Sequence, residues 1–210
     1  MRRKAVFLDR DGVIAIPEFR DGRSFAARTV ADFRLYPEAA PSLHKLKRAG
    51  FVLAVVTNQP DVGHGLIRRS EVDKMHAIIA RELPVDAIKA CSHQQSEGCA
   101  CRKPKPGMLI EAAEELGIDV SQSFMVGDRA SDVEAGRAAG CATVFIDLAY
   151  DAELMPKNAD YVVGSIAQAA DIILNATREQ IPISLSSLQS SSPAGLTHGS
   201  KMDCRVKPRQ

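Results

Sequence analysis

FLDRDGV, residues 7–13, closes an apolar run with two carboxylates one residue apart and then a glycine. Ala5, Val6, Phe7 and Leu8 are good material for a buried strand, whereas Asp is disfavoured inside strands. Carboxylates crowded into a low-dielectric site repel one another unless a cation offsets them. The stretch therefore predicts a strand that delivers Asp9 and Asp11 to a cation-binding site at its carboxyl end.

Five further apolar runs, at residues 51–56, 87–91, 124–126, 142–146 and 161–163, alternate with segments of helical spacing at 38–49, 71–82, 107–116, 132–139 and 166–174. Turn residues punctuate them: Gly50 and Gly117 close two of the helices, Pro106 leads another, and Ser70 with Asp73 reads as a box-like cap. Strands that are continuously apolar and joined by helices imply a parallel sheet covered on both faces. The expected fold is α/β, a doubly wound, Rossmann-like parallel sheet with its ligands at the carboxyl ends of the strands. Polar residues fall at those ends: Asp9 and Asp11 after the first run, Thr57 and Asn58 in VVTNQ after the second, and Asp128 and Asp132 in MVGDRASD after the fourth. One acidic turn alone reads as a surface feature; three clusters at matching strand ends read as a site.

The chain of 210 residues, 45% hydrophobic and 25% charged, suits one folded domain, expected over residues 1–176. Residues 177–210 are Ser-rich with scattered Pro, Gly and charge, and are expected to be a disordered tail carrying a leftover thiol, Cys204. Lys and Arg number 27 against 26 Asp and Glu, so no basic field favours nucleic acid. No apolar run reaches the roughly 18 residues of a membrane span, and the start, MRRKAVFLDR, meets an Asp too early for a secretory signal. A cytoplasmic protein is expected.

A second constellation lies in CSHQQSEGCAC, residues 91–101. Cys91, His93, Cys99 and Cys101 offer four soft ligands within eleven residues, a set suited to tetrahedral Zn²⁺. A disulfide is disfavoured in a reducing compartment. With every coordination place filled by protein, such an ion is structural, bracing the loop ahead of Arg102 and Lys103. His44 and His76, on helical segments, read as surface or interfacial side chains, and Cys141 as a small buried hydrophobe.

In chain order, DRDG at 9–12, TNQ at 57–59, Lys103 in CRKPKPGM and GDRASD at 127–132 resemble the four motifs of the haloacid dehalogenase (HAD) superfamily of phosphohydrolases, over residues 4–174. The resemblance implies the HAD fold with a minimal cap, and a small phosphorylated metabolite as substrate. It makes Asp9 the nucleophile, Asp11 the general acid and base, Thr57 and Asn58 substrate ligands, and Lys103 the charge-balancing cation. Mg²⁺ would be held by Asp9, Asp11 and Asp128, with Asp132 supporting. The chemistry suits the residue types: an attacking carboxylate divides one difficult hydrolysis into two displacements, and a second carboxyl cycles the proton.

The Cys/His loop narrows the resemblance to the D-glycero-D-manno-heptose-1,7-bisphosphate 7-phosphatase group, with the histidinol-phosphate phosphatases as alternative. In the heptose group the Arg beside the catalytic Lys contacts the distal phosphate, and Arg102 matches it; Arg129 is a further candidate at the substrate. Residues 15–36 and 60–69 are expected to form small specificity loops. Two departures stand out: PDVGHG at 60–65 puts His64 where the group carries Arg, and CSHQQ lacks a proline-bearing His pair. A silent binding module is disfavoured by the complete motif set, and a nucleic-acid end phosphatase by the near-neutral charge.

Overall fold

The computed structural model describes residues 2–20, 23–149 and 155–179; residues 180–210 of the expected tail, Cys204 among them, lie outside the described residues. In chain order the strands are β1 (Ala5–Leu8), β2 (Glu18–Arg20), β3 (Arg23–Phe25), β4 (Val52–Asn58), β5 (Ala87–Cys91), β6 (Phe124–Gly127), β7 (Ala142–Ile146) and β8 (Tyr161–Val163). The helices are α1 (Ala39–Arg48), α2 (Pro60–Gly63), α3 (Arg69–Glu82), α4 (Gly107–Leu116), α5 (Ala130–Ala139) and α6 (Ile166–Glu179). Among them no helix is long and apolar enough to cross a membrane.

Six strands form one sheet in the order β5-β4-β1-β6-β7-β8, and every neighbouring pair is parallel. Side chains alternate across it. Val6, Leu8, Leu53, Val55, Phe124 and Val126 pack with α1, α3 and α6, while Ala5, Phe7, Val52, Ala54, Val56 and Met125 pack with α4 and α5. Burial on both faces explains why these strands read as continuous apolar runs, and each large side chain so buried stabilises by about 1.5–3 kcal/mol. The chain runs outward from β1 through β4 to β5 and then returns to β6 on the other side of β1. Leu8 pairs with both Val55 and Val126, so the carboxyl ends of β1, β4 and β6 lie level at this switch point.

The expected elements are present with three differences. Helix α3 begins at Arg69 and Arg68 supplies no side-chain cap. Ser70 therefore lies inside the helix, and Asp73 accepts instead from Arg69 Nε at 2.9 Å, an i,i+4 pair in place of the expected box. Helix α6 continues through Glu179, so the boundary expected at 176 falls within it. The segment 15–36 contains an antiparallel hairpin, β2 with β3, and the 60–69 loop opens with the short α2, neither of which was expected.

Candidate active site

Asp9 leaves β1 with its backbone N–H still bonded to Val126 O at 2.9 Å, so the first carboxylate remains anchored to the sheet. The chain then turns sharply. Gly12 adopts φ +85°, a conformation open to glycine, and Ile14 and Ala15 return N–H bonds to Arg10 O. This turn carries Asp11 away from the strand that ends at Leu8, where it bridges to Ala15.

Asp128 and Asp132 come from β6 and the first turn of α5. Gly127 makes room for them: a Cβ there would lie 2.2 Å from the Asp132 Cβ, which only a residue without a side chain permits. Asp132 Oδ2 accepts from the Arg129 N–H at 3.0 Å, capping α5. Asp9, Asp128 and Asp132 are all buried, and one carboxylate oxygen from each falls within 4.8 Å of the others.

Lys103 enters from the loop after Cys101 and sits 3% exposed. Its Nζ donates to Val56 O at 2.7 Å and forms ion pairs with Asp9 Oδ1 at 2.9 Å and Asp132 Oδ1 at 2.7 Å. Burial works against the charged ammonium, but Asp132 and Asp9 outweigh it and raise the Lys103 pKa. Burial pushes Asp132 up to about 6, with Asp9 adding to the shift and Lys103 opposing it. Lys103 thus brings one positive charge to three buried carboxylates, a donor set that fits a hard divalent cation.

Asn58 is committed to this lysine: its Nδ2 donates to Lys103 O at 3.0 Å and its Oδ1 accepts from Lys103 N–H at 3.1 Å. It lines the cleft, but its amide clamps the lysine loop to β4. Asp11 stands apart from the carboxylate trio. Its Oδ2 accepts from Arg10 Nε at 2.9 Å and from Gln59 Nε2 at 3.1 Å, and the same Gln59 nitrogen donates to Thr57 Oγ1 at 3.0 Å. The side chains of Asp9, Asp128 and Asp132 are brought together as a metal-ligating group; that of Asp11 is not.

Cys91, at the end of β5, meets His93, Cys99 and Cys101 in one cluster. Cys91 Sγ lies 3.5 Å from His93 Nδ1 and 3.6 Å from Cys99 Sγ; Cys101 Sγ lies 3.3 Å from His93 Nδ1 and 3.4 Å from Cys99 Sγ. A tetrahedron with metal–sulfur bonds of about 2.3 Å has edges of roughly 3.8 Å, so the four atoms stand within a few tenths of an ångström of such a site. Burial raises Cys101 to about 12, and its thiol neighbours add to the rise; Cys99, against its own burial, is drawn down to about 7 by hydrogen bonds from Cys101, the Arg102 N–H and Cys91. The cluster is tied to the rest of the site because Gln59 N–H donates to Cys91 O at 2.7 Å.

These elements wall a cleft of about 630 Å³ whose lining includes Asp9, Asp11, Arg102, Lys103, Arg129 and Asp132. Arg102 reaches His93 O at 3.5 Å from the cysteine loop. Arg129, expected at the substrate, donates from Nη2 to Ser24 O at 2.9 Å and Ser24 Oγ at 2.7 Å, fastening the β2–β3 hairpin beside the cleft. Arg28 Nε and Asp61 Oδ2, 2.7 Å apart, join the 15–36 and 60–69 segments, and Asp61 lines the cleft. His64 is exposed and is not among the lining residues. Sequence reasoning missed Arg10, Gln59 and Ser24. Gln59 stood in the TNQ motif and was legible there; a buried Arg gives no local signal.

A buried carboxylate at the end of β1, a lysine from a separate loop and a paired-carboxylate turn after β6 define a phosphoryl-transfer site on a doubly wound sheet, and the comparisons agree. A family model described as HAD-hydrolase-like matches residues 100–169. The chain is 37% identical over 152 residues to the D-glycero-beta-D-manno-heptose-1,7-bisphosphate 7-phosphatase of Pseudomonas aeruginosa, covering 70% of this chain and 82% of that one. It is 33% identical over 184 residues to the same enzyme of Pasteurella multocida, covering 81% and 97%. The chain belongs to the HAD superfamily of phosphatases and is an enzyme of that class. Within it, the resemblance is to the heptose-bisphosphate phosphatases: the D,D-heptose 1,7-bisphosphate phosphatase of B. bronchiseptica, solved with magnesium and phosphate, superposes with a TM-score of 0.68 at 29% identity, over 82% of this chain and 99% of that one.

Proposed function

We propose that the chain is a Mg²⁺-dependent phosphatase that removes one phosphate from a small sugar bisphosphate, with D-glycero-β-D-manno-heptose 1,7-bisphosphate as substrate and its 7-phosphate as the group released. The observation that carries this reading is that Arg102 lines the same cleft as Asp9, Lys103 and Asp132. One cleft thus offers a reacting centre and a separate guanidinium for a second phosphate.

In this mechanism Asp9 attacks phosphorus and forms an aspartyl-phosphate, while Lys103, bonded to Asp9 Oδ1, fixes the direction of attack. The Thr57 hydroxyl binds an equatorial phosphate oxygen. Asp11 protonates the leaving sugar oxygen and then takes a proton from the water that cleaves the intermediate. Asp9 and Asp128, with Asp132 beside them, would hold Mg²⁺, which supplies charge neutralisation to the phosphate when bound. The Cys91, His93, Cys99 and Cys101 set would hold a structural Zn²⁺ that orders the loop carrying Arg102 and Lys103. Asp61 brings an acidic group to the cleft, but its pairing with Arg28 argues against the cationic amine of a histidinol phosphate.

Two measurements test this. Arg102→Ala is expected to lower kcat/KM for the heptose bisphosphate by about ten- to a hundredfold, the worth of a charge-assisted contact, and to leave p-nitrophenyl phosphate nearly unchanged. Equal losses would move Arg102 to the reacting phosphate, and no wild-type preference for bisphosphate over monophosphates would remove the sugar assignment. For the second metal, elemental analysis of purified protein is expected to give about one zinc per chain, reduced in Cys99→Ser together with the melting temperature. Protein free of zinc whose Cys99→Ser variant melts and turns over normally would refute the structural ion.

A further inference from the structure

Arg10, between the two motif carboxylates, is wholly buried. Its Nε donates to Asp11 Oδ2 at 2.9 Å and its Nη2 sits 2.9 Å from the same oxygen. On its other side Nη1 faces two weak neutral acceptors, His76 Nε2 at 3.5 Å and Met75 Sδ at 3.9 Å, and the guanidinium carbon lies 5.6 Å from the centre of the Phe33 ring. Burial, with the Arg10 charge adding to it, pushes His76 down to about 4, so the imidazole is neutral beside the guanidinium. An Arg meeting a carboxylate usually spans both oxygens with a two-point fork. Here Nε alone hydrogen-bonds, to a single oxygen, and Nη2 lies beside that oxygen as an ion pair without a hydrogen bond of its own.

Gln59 completes the grip. It is 2% exposed, its backbone is bonded to Cys91 O, and its Nε2 reaches both Asp11 Oδ2 and Thr57 Oγ1. Asp11 Oδ1, also buried, has no hydrogen-bond partner among the described residues, although Asp11 lines the cleft. A buried oxygen without a partner is costly in a folded protein unless something else bonds to it, and substrate is the group that enters this cleft.

We infer that Arg10 and Gln59 are positioning residues that hold Oδ2 of Asp11 so that Oδ1 is the oxygen exchanging the proton in phosphate release. The inference rests on the reading of Asp11 as general acid and base. Oδ1 gives its proton to the leaving sugar oxygen as the P–O bond breaks. It takes one back from the water that attacks the Asp9 phosphate, and the carboxyl returns to its starting state. Oδ2 stays bonded throughout. Phe33, Met75 and His76 supply a rigid, uncharged seat for the guanidinium, and the shared Gln59 nitrogen keeps the proton-transfer carboxyl in register with the phosphate ligand Thr57.

The test is the dependence on leaving group. For p-nitrophenyl phosphate kcat/KM reports cleavage to a phenolate that needs little protonation, whereas a sugar phosphate needs its alkoxide protonated. Gln59→Leu, with Gln59→Ala as a second truncation, is expected to lower kcat/KM for the sugar phosphate about ten- to a hundredfold and for p-nitrophenyl phosphate less than about threefold, within the range of general-acid effects. Arg10→Lys, which keeps the charge but loses the Nε donor, is expected to show the same split, and Asp11→Asn a larger one. A split in Asp11→Asn but equal losses, or none, in the folded Gln59 variants overturns the inference. The absence of a split in Asp11→Asn itself would overturn the general-acid reading on which it stands.

Discussion

Asp9→Asn is expected to lower turnover by about 10⁴-fold or more, the scale on which removal of a covalent nucleophile acts, while the protein stays folded. The amide is nearly isosteric and cannot attack phosphorus. Folding survives because Lys103 keeps its ion pair with Asp132 Oδ1 and its hydrogen bond to Val56 O, so the buried ammonium is still paired. Removing one of three crowded carboxylates also relieves repulsion within the trio. Phosphate release and thermal denaturation measured side by side check both halves. Turnover within tenfold of wild type would take the nucleophile away from Asp9.

The parts of this molecule that the sequence makes legible are those whose physics is local. The central strands β1, β4 and β6 read as apolar runs because both faces are covered, and the polar residues at their carboxyl ends break those runs abruptly. The Cys/His set is legible for a related reason, since its four ligands fall within eleven residues. What could not be read depends on distant partners. The β2–β3 hairpin has little apolar alternation of its own and is fastened by Arg129, more than a hundred residues away at Ser24. Arg129 and Asn58 line the cleft, and each also makes a fastening contact that the sequence does not show. Arg10 reads as a surface residue by type; it is buried because Asp11, Phe33, Met75 and His76, from three separate segments, close around it.

The same dependence on distant partners makes Lys103 the most sensitive position in the site. Lys103→Met is expected to abolish activity and also to destabilise the protein by about 3–5 kcal/mol, the usual cost of removing one partner from a buried ion pair. Asp9 Oδ1 and Asp132 Oδ1 would then face each other without the ammonium, and Val56 O would lose its donor. For a chain of this size the loss corresponds to roughly 6–20 °C in melting temperature. The deficit has a pH dependence whose sign is fixed by Asp132. Its pKa in the folded protein, about 6, is already above the ordinary carboxyl value, and loss of Lys103 removes the group that opposes this rise. The folded state of the variant therefore binds a proton that the unfolded chain releases, and its stability falls as pH rises through and above about 6. Measured in EDTA, the gap between Lys103→Met and wild type should be small near pH 5 and widen towards pH 8. Added Mg²⁺ should recover part of it, since a divalent cation among Asp9, Asp128 and Asp132 offsets the same charge that the ammonium did. A variant that melts within about 2 °C of wild type at pH 8 would mean that the three carboxylates do not need Lys103 to be buried together.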